Sequence, residues 1–191
     1  TAHPLEPDAP AAILFENGQT HFDYTDGKGF VMITEVDIRI KIYKKDGYDW
    51  ANKAVRYYVG QNPSETVQFS KAVTYNLVNG AIEKTKLKSE GEFEEKLNKY
   101  WSDKKITMPN VKEGSVIEYR YVVQSPFMSN VPTWSFQTGI PVNQSKYVTK
   151  FPEYYIYKTN FKGFVQPKIE KTSANRSYNY TSKERTGKDD A

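Results

Sequence analysis

The 191-residue sequence contains no cysteine. This absence excludes a disulfide framework, a thiolate nucleophile and a zinc site built on thiolates. Histidine is nearly as scarce: only His3 and His21 occur, and neither lies beside a Gly-x-Ser-x-Gly turn that would supply a nucleophile. We therefore predict that this chain is not an enzyme, and we predict no metal and no cofactor.

Long apolar runs and nucleotide-binding loops are also missing. No stretch approaches the ~20 apolar residues that a membrane-spanning helix needs, and no glycine-rich phosphate loop follows a predicted strand. The formal net charge is only +4, because 23 acidic residues are interspersed among 27 basic ones. The sequence therefore predicts neither membrane insertion nor nucleic-acid binding. A basic face and a solvated edge both remain open for Lys84, Lys86, Lys88, Lys104 and Lys105.

Aromatic residues are abundant, with 15 Tyr and 10 Phe, and this composition favours sheet over helix. Val36, Ile38, Ile40 and Ile42 alternate with polar residues, which predicts a strand with one buried face. The pairs Asp46-Gly47 and Asn79-Gly80 are typical of tight hairpin turns. The first pair predicts a return strand over residues 54–59, and the second predicts a hairpin between residues 67–77 and a lysine-rich edge strand at 81–87.

Further strands are predicted along the rest of the chain. Residues 115–124 carry two alternating faces and predict a central strand. Residues 93–101 fit a helix and a strand equally well by spacing. The remaining predicted strands lie at residues 11–15, 104–108, 134–140, 146–157 (in two pieces), 163–170 and 176–182.

Together these segments predict an all-β, antiparallel, sandwich-like domain of roughly ten strands with little helix, spanning residues 11–182. Prolines at positions 4, 7 and 10 predict an extended arm over residues 1–10. Residues 183–191 are polar and predict a tail or linker. The first residue is Thr1 rather than Met, which is typical of a trimmed leader.

Exposed aromatic rings and carboxylate pairs are the two kinds of site that the sequence permits. Aromatic side chains can pack in the core or bind a ligand or a neighbouring domain, and the candidates for contact are Trp50, Trp134, Tyr154 and Tyr155. A glycosidase would need two carboxylates, for which Glu113, Glu118 and Glu153 are available. Glu118 also shares a strand face with Arg120, so an ion pair with neighbouring strands is the alternative to catalysis.

Several motifs resemble a known family. The most specific are Ala-Val-Thr-Tyr-Asn-Leu-Val-Asn-Gly at residues 72–80 and Met-Pro-Asn-Val-Lys-Glu-Gly-Ser-Val-Ile-Glu-Tyr at 108–119. Shorter matches are Trp-Ser-Phe-Gln at 134–137, Ile-Pro-Val at 140–142 and Pro-Glu-Tyr-Tyr at 152–155. They resemble, in order, an uncharacterised β-rich domain of unknown function that precedes transglutaminase-like cores in secreted or cell-envelope proteins of Bacteroidetes-type bacteria.

The resemblance implies strands rather than a helix at residues 93–101. It also implies a downstream core with Cys–His–Asp chemistry in the same polypeptide, as the partner of a non-catalytic accessory domain in the periplasm or outside the cell. Two alternatives stay open: a carbohydrate-binding module that uses exposed aromatic rings, and a glycoside hydrolase that uses a carboxylate pair. A protein or a glycan is the expected ligand.

Overall fold

The computed structural model of the protein describes residues 2–25, 29–60, 62–153, 155–163 and 166–175. Strand accounts for 50% of the structure and helix, in short 3₁₀ turns, for 6%. The described residues contain nine strands in two sheets, so the predicted all-β, sandwich-like fold is confirmed. Among these same residues, no helix has the length and apolar character needed to cross a membrane.

The strands are numbered in chain order. They are β1 (Ala11–Thr25), β2 (Gly29–Ile42), β3 (Asn52–Tyr58), β4 (Thr66–Val78), β5 (Ala81–Lys86), β6 (Glu92–Lys96), β7 (Trp101–Thr107), β8 (Val116–Ser125) and β9 (Ser145–Lys150). Two 3₁₀ helices cover Lys45–Ala51 and Ser89–Gly91.

The larger sheet has six strands in the order β5-β4-β8-β2-β1-β9, and the smaller sheet has three in the order β3-β7-β6. All neighbours are antiparallel except β9, which runs parallel to β1. The prediction of an antiparallel architecture is therefore correct for every pair but this one. Strand β9 follows β8 in the chain and runs in the same direction as β8. Strands that run in the same direction need a long connection, which residues 126–144 provide.

An aliphatic core joins the two sheets. On β2, Val36, Ile38, Ile40 and Ile42 are buried, whereas the residues between them remain partly exposed. This pattern is the one that period two produces when a strand has one buried face. The β2 isoleucines share one buried cluster with residues from β1, from β8, from the region of the smaller sheet and from the β8–β9 connection, namely Ala11, Ile13, Ala51, Ile106, Met108, Ile117, Tyr119 and Ile140.

Three predictions of local structure are confirmed. Residues 115–124 form the central strand β8, which lies between β4 and β2. Asn79 and Gly80 adopt φ angles of 50° and 80° and join β4 to the edge strand β5, as the hairpin signal predicts. Residues 93–101 are strand at both ends, in β6 and β7, and not helix.

The predicted hairpin at Asp46-Gly47 is wrong. Residues Lys45–Ala51 form a 3₁₀ helix, and β3 leaves the β2 sheet to pair with β7. The reason lies in residues 2–10: the Pro10 carbonyl accepts hydrogen bonds from the Tyr43 and Lys44 amides. A Cβ at Gly47 would meet the Pro10 carbonyl, so this glycine provides room for close backbone contact rather than a turn with positive φ.

The strands predicted after β8 are wrong in part. Most described residues of these predicted strands have irregular structure, namely residues 134–140, 151–153, 155–157, 163 and 166–170. Among the described residues after β8, only Ser145–Lys150 is strand, and it overlaps the predicted segment 146–157. A tyrosine-rich segment is typical of a strand by composition, but Tyr155 and Tyr157 supply rings that cover β1 instead of ladder hydrogen bonds. The strand predicted at residues 176–182 lies outside the described residues.

Candidate functional site

The inner face of β1 is covered by aromatic rings over its second half. Gly18, Thr20 and Phe22 follow one another at period two, so all three face the smaller sheet's side of the larger sheet. Thr20 and Phe22 are buried. Glycine inside a strand often marks the close approach of another group, and Gly18 does so here.

Trp134 lies flat against this part of the sheet. Its ring stacks on Tyr147 of β9, with 4.8 Å between the ring centroids and 6° between the planes. The indole Nε1 donates a hydrogen bond to Ser145 Oγ at 2.9 Å. Tyr147 Oη lies 2.6 Å from Thr20 Oγ1, so both rings are tied to the β1–β9 pair. A methyl group at Gly18 would lie 2.6 Å from Trp134 Cη2, so the space above this glycine belongs to the indole.

A second set of rings covers Phe22, two positions further along the same face. The Phe22 centroid is 5.9 Å from that of Phe151, 6.0 Å from Tyr155 and 6.1 Å from Tyr157. Tyr157 Oη donates to the Met128 carbonyl at 3.0 Å, which anchors this segment on the chain that follows β8. We call Trp134, Tyr147, Phe151, Tyr155 and Tyr157 the aromatic rim.

All five rings of the aromatic rim are half-buried. Each therefore packs against the sheet on one side and keeps part of its surface in solvent. Rings with this partial exposure are enriched where proteins contact partners, because they combine a large apolar area with polar atoms.

An oppositely charged pair lies at the next inner position of β1. Glu16 on β1 faces Lys53 on β3, in the space between the sheets. Burial raises the pKa of Glu16, and the Lys53 ammonium partly offsets this effect. Burial lowers the pKa of Lys53, and Glu16 partly offsets that effect in turn. Within the described chain neither side chain has a hydrogen bond, and Lys53 Nζ lies 5.6 Å from the centroid of the Tyr121 ring.

Burial also acts on Tyr121, whose pKa it raises to about 12. A carboxyl that protonates more readily and an amine that deprotonates more readily are groups suited to proton transfer or to binding a polar group. Ion pairs within a fold perturb pKa values in the same way, so this pair adds polarity beside the aromatic rim without by itself assigning chemistry to it.

The predicted carboxylate site at Glu118 has a different environment. Glu118 is buried on the outer face of β8 and accepts hydrogen bonds from Arg39 Nη2 at 2.6 Å and from Lys71 Nζ. Burial raises its pKa, but these cationic hydrogen bonds outweigh burial and leave the pKa below its ordinary value. A general acid needs a raised pKa, so this environment disfavours a glycosidase role for Glu118.

Other charged groups are paired as well, namely Arg120 on the outer face and two lysines of the smaller sheet. Arg120 contacts Glu35 at 3.0 Å on β2, so Glu118 and Arg120 both form ion pairs with neighbouring strands rather than with each other. In the smaller sheet, Lys104 contacts Glu92 at 3.1 Å, and Lys105 contacts Glu95. These two lysines therefore belong to a surface of mixed charge.

Residues 32–185 match the family model DUF3857, a domain of unknown function with a solved structure. The chain belongs to the DUF3857 family. The match begins within β2 and includes every later strand described above. The resemblance to a β-rich domain of unknown function is thereby confirmed, whereas the transglutaminase-like and Bacteroidetes-type context stays a prediction.

Part of this DUF3857 chain is also similar to a crystal structure of a candidate protease from Parabacteroides distasonis ATCC 8503. The likeness covers 61% of this chain at 10% sequence identity, with a TM-score of 0.48. It covers 23% of the other chain, so the DUF3857 chain spans less than a quarter of the length of that structure. No curated protein matches significantly.

The structure of this DUF3857 domain brings two of the predicted contact residues together. Trp134 and Tyr155 both belong to the aromatic rim. Trp50 lies apart from them, in the first 3₁₀ helix, where it packs against the aliphatic core. Tyr154 lies outside the described residues. Whether any of these residues contacts a ligand stays a prediction.

Other residues of the DUF3857 site are not predictable from the sequence. Glu16 and Lys53 are 37 positions apart and carry no motif, and Tyr147 is one of many tyrosines. Gly18 is the one signal that could have located the rim, because a glycine within a strand indicates close contact. A further aromatic cluster surrounds the β6–β7 turn: Tyr58 stacks on Tyr100 at 6.3 Å and meets Trp101 edge-on at 5.5 Å.

Proposed function

We propose that this DUF3857 domain is a non-catalytic accessory domain of a larger secreted or periplasmic protein. In this proposal it positions a transglutaminase-like core of the same polypeptide, or the substrate of that core. The observation that carries the proposal is the aromatic rim, because five half-buried rings at one edge of the sheet form a surface suited to another protein domain.

The environment of the titratable side chains supports the non-catalytic part of the proposal. His3 is buried, its Nε2 lies 3.2 Å from Asn143 Oδ1, and its Nδ1 accepts a hydrogen bond from the Glu6 amide. Both ring nitrogens are therefore engaged in structure and are unsuited to proton transfer. Glu118 is held ionised by two cations, and the sequence has no cysteine to act as a nucleophile.

The proposal is tested in the full-length protein that contains this domain. Trp134→Ala combined with Tyr155→Ala removes two rings of the aromatic rim, and we expect the kcat/KM of the core on a protein substrate to fall about tenfold or more. Tyr100→Ala combined with Trp101→Ala is the matched control, since it removes two rings outside the rim. Unchanged kcat/KM and unchanged interdomain cross-linking in the rim variant would refute the assignment.

A carbohydrate-binding module is a second candidate, which the exposed rings of Tyr100 and Trp101 favour. The asparagine Asn98 accepts hydrogen bonds from both backbone amides, at 2.8 and 3.1 Å, and this turn holds the two rings at the surface. Titration of the tryptophan fluorescence with oligosaccharides tests this function. A saturable change that Trp101→Ala abolishes would favour sugar binding over the accessory role, and no change would remove this candidate.

A further inference from the structure

The β4–β5 hairpin extends beyond the body of the larger sheet. Tyr75 is the last β4 residue that pairs with β8, opposite Val116, and the hairpin continues to its Asn79-Gly80 turn without that neighbour. β5 is also the edge strand of the sheet. The hairpin end is therefore a convex projection.

The two faces of the hairpin differ in what they contact. On the inner face, Asn76 Nδ2 donates to the Asn110 carbonyl at 2.8 Å, and Asn110 Nδ2 lies 3.2 Å from Thr85 Oγ1. These bonds hold the hairpin against the β7–β8 connection. On the outer face, Leu77 and Ile82 pair directly across the turn, and their exposed fractions are 73% and 68%.

The outer face changes in character with distance from the turn. Leu77 and Ile82 form the first row, and Tyr75 and Lys84 form the second, where Lys84 Nζ lies 5.7 Å from the centroid of the Tyr75 ring. Lys86 follows in the third row. Rows on one face of a strand are about 7 Å apart. The acidic residue of β5, Glu83, pairs with Asn76 and so lies on the opposite face.

We propose that the outer face of this hairpin binds the surface of an anionic lipid bilayer. The order of side chains along this face matches the layers of a membrane interface. Aliphatic side chains suit the acyl boundary, tyrosine suits the headgroup level, and lysines suit the lipid phosphates. The contact is interfacial and needs no spanning segment. It assigns a role to Lys84 and Lys86 that the sequence left open between a basic face and a solvated edge.

The size and shape of the surface favour a bilayer over a protein partner. A stable protein–protein interface buries about 800 Å² on each side and requires a matching groove for a convex tip. The exposed apolar part of this hairpin consists of two directly paired side chains, Leu77 and Ile82. A bilayer deforms around a small convex tip, and it combines apolar burial with attraction of lysines by anionic headgroups.

Flotation of the purified chain with vesicles tests the proposal. We expect binding to equimolar phosphatidylglycerol and phosphatidylcholine vesicles, and little binding to phosphatidylcholine alone. Leu77→Ser with Ile82→Ser, and separately Lys84→Glu with Lys86→Glu, should each weaken binding about tenfold or more. Because these side chains are exposed, circular dichroism and the melting temperature of both variants should match those of the wild type.

Matched controls keep this result specific. Leu5→Ser with Ile156→Ser removes two apolar side chains elsewhere that are even more exposed, and Lys146→Glu with Lys150→Glu reverses two exposed lysines on the opposite edge strand, β9. Both controls should bind like the wild type. An equal loss in the controls, or equal binding by all variants, would overturn the proposal.

Because the chain has no cysteine, a single labelled cysteine can report contact between the hairpin and the bilayer surface. Leu77→Cys carrying an environment-sensitive fluorophore should brighten and shift to the blue on addition of anionic vesicles, and Leu5→Cys carrying the same label should not. If the chain floats with vesicles while the label at position 77 is silent, another surface makes the contact and the proposal fails. If a protein is captured instead and no vesicle binds, the proposal also fails.

Discussion

The space between the two sheets is filled in different ways at its two ends. At one end Ile13, Ile40, Ile106 and Ile117 form part of a buried aliphatic core. At the other end the same strands β1, β2 and β8 continue, but β1 presents Glu16, Gly18, Thr20 and Phe22, and rings from distant segments cover the last three. The first end is closed by side chains of the strands themselves. The second is closed by Trp134, Phe151, Tyr155 and Tyr157, so it is the end whose surface can serve a partner.

The change from one end to the other occurs at a bulge. The register of β1 against β2 shifts between Ile13 and Phe15. One extra residue there turns Phe15 outward, where Arg39 Cζ lies 5.0 Å from the centroid of its ring, and turns Glu16 inward toward Lys53. A bulge of one residue thus places a carboxylate, instead of a phenylalanine, between the sheets.

Truncation in the aliphatic end should have the largest effect on stability. Ile117 is 0% exposed, and Ile117→Ala leaves a cavity that well-packed neighbours cannot fill. We expect the free energy of unfolding in urea to fall by about 3 kcal/mol. Ile82→Ala, at an exposed position, should change it by less than about 0.5 kcal/mol. A loss below about 1 kcal/mol for Ile117→Ala would show that this end is loosely packed.

Addition of a methyl group at the aromatic end should have the next largest effect. Gly18→Ala places a Cβ 2.8 Å from Tyr147 Cδ2 and even closer to the Trp134 ring, so the stacked pair must move. We expect a loss of about 2 kcal/mol and a shift in native tryptophan emission. Gly139→Ala is the control, because nothing lies within 4 Å of its added Cβ. An unchanged emission spectrum for Gly18→Ala would contradict the described stack.

Removal of the charge at Glu118 should have the third largest effect on stability. Its pKa is depressed in the folded state, so its stabilisation is present above the ordinary value of 4.5 and is lost as the pH falls through the lower folded value. Glu118→Gln should cost about 2 kcal/mol at neutral pH, because Arg39 and Lys71 lose a charged acceptor. The variant should also lose less stability than the wild type on acidification below 4.5. The exposed Glu113→Gln should behave like the wild type.

The Glu16–Lys53 pair should give the smallest effect on stability, and the double variant should lose less stability than the single variant. Lys53→Met leaves the Glu16 carboxylate without its cation, so we expect a loss of about 1 kcal/mol at neutral pH. Glu16→Gln with Lys53→Met should recover most of that loss, since it removes both desolvated charges. Additive losses in this double-mutant cycle would indicate that the two groups do not interact.

The pH dependence of stability gives a second test of the Glu16–Lys53 pair. Its pKa is raised, so its contribution to stability is fully present at low pH and is lost as the pH rises through the folded value, opposite in sign to that of Glu118. In Lys53→Met the pKa of Glu16 should rise further, because the ammonium that lowers it is gone. Carbon NMR of the labelled carboxyl group measures this shift, and a fall in pKa would exclude the described pairing.

Much of the sheet follows from local sequence. Alternation at Val36–Ile42 and at 115–124, together with Asn79-Gly80, predicted β2, β8 and the β4–β5 hairpin correctly, because period-two burial and positive φ are properties of neighbouring residues. Trp134 and Tyr155 were expected to contact a partner, and the structure places both in one rim. Their shared location was not predictable, since β9 pairs with β1 across more than 100 residues.

The sequence by itself determined that the chain is mostly strand, that it carries no thiol, and that β2 and β8 have one apolar face. Tertiary structure alone decided that the chain passes from Asp46-Gly47 to a second sheet, that Glu16 faces Lys53, and that Tyr155 and Tyr157 cover β1 instead of forming a strand. The physical reason is the distance along the chain over which each property is set. The face of a strand to which a side chain points depends on neighbouring residues. The partner that packs on that face depends on segments far away in the sequence.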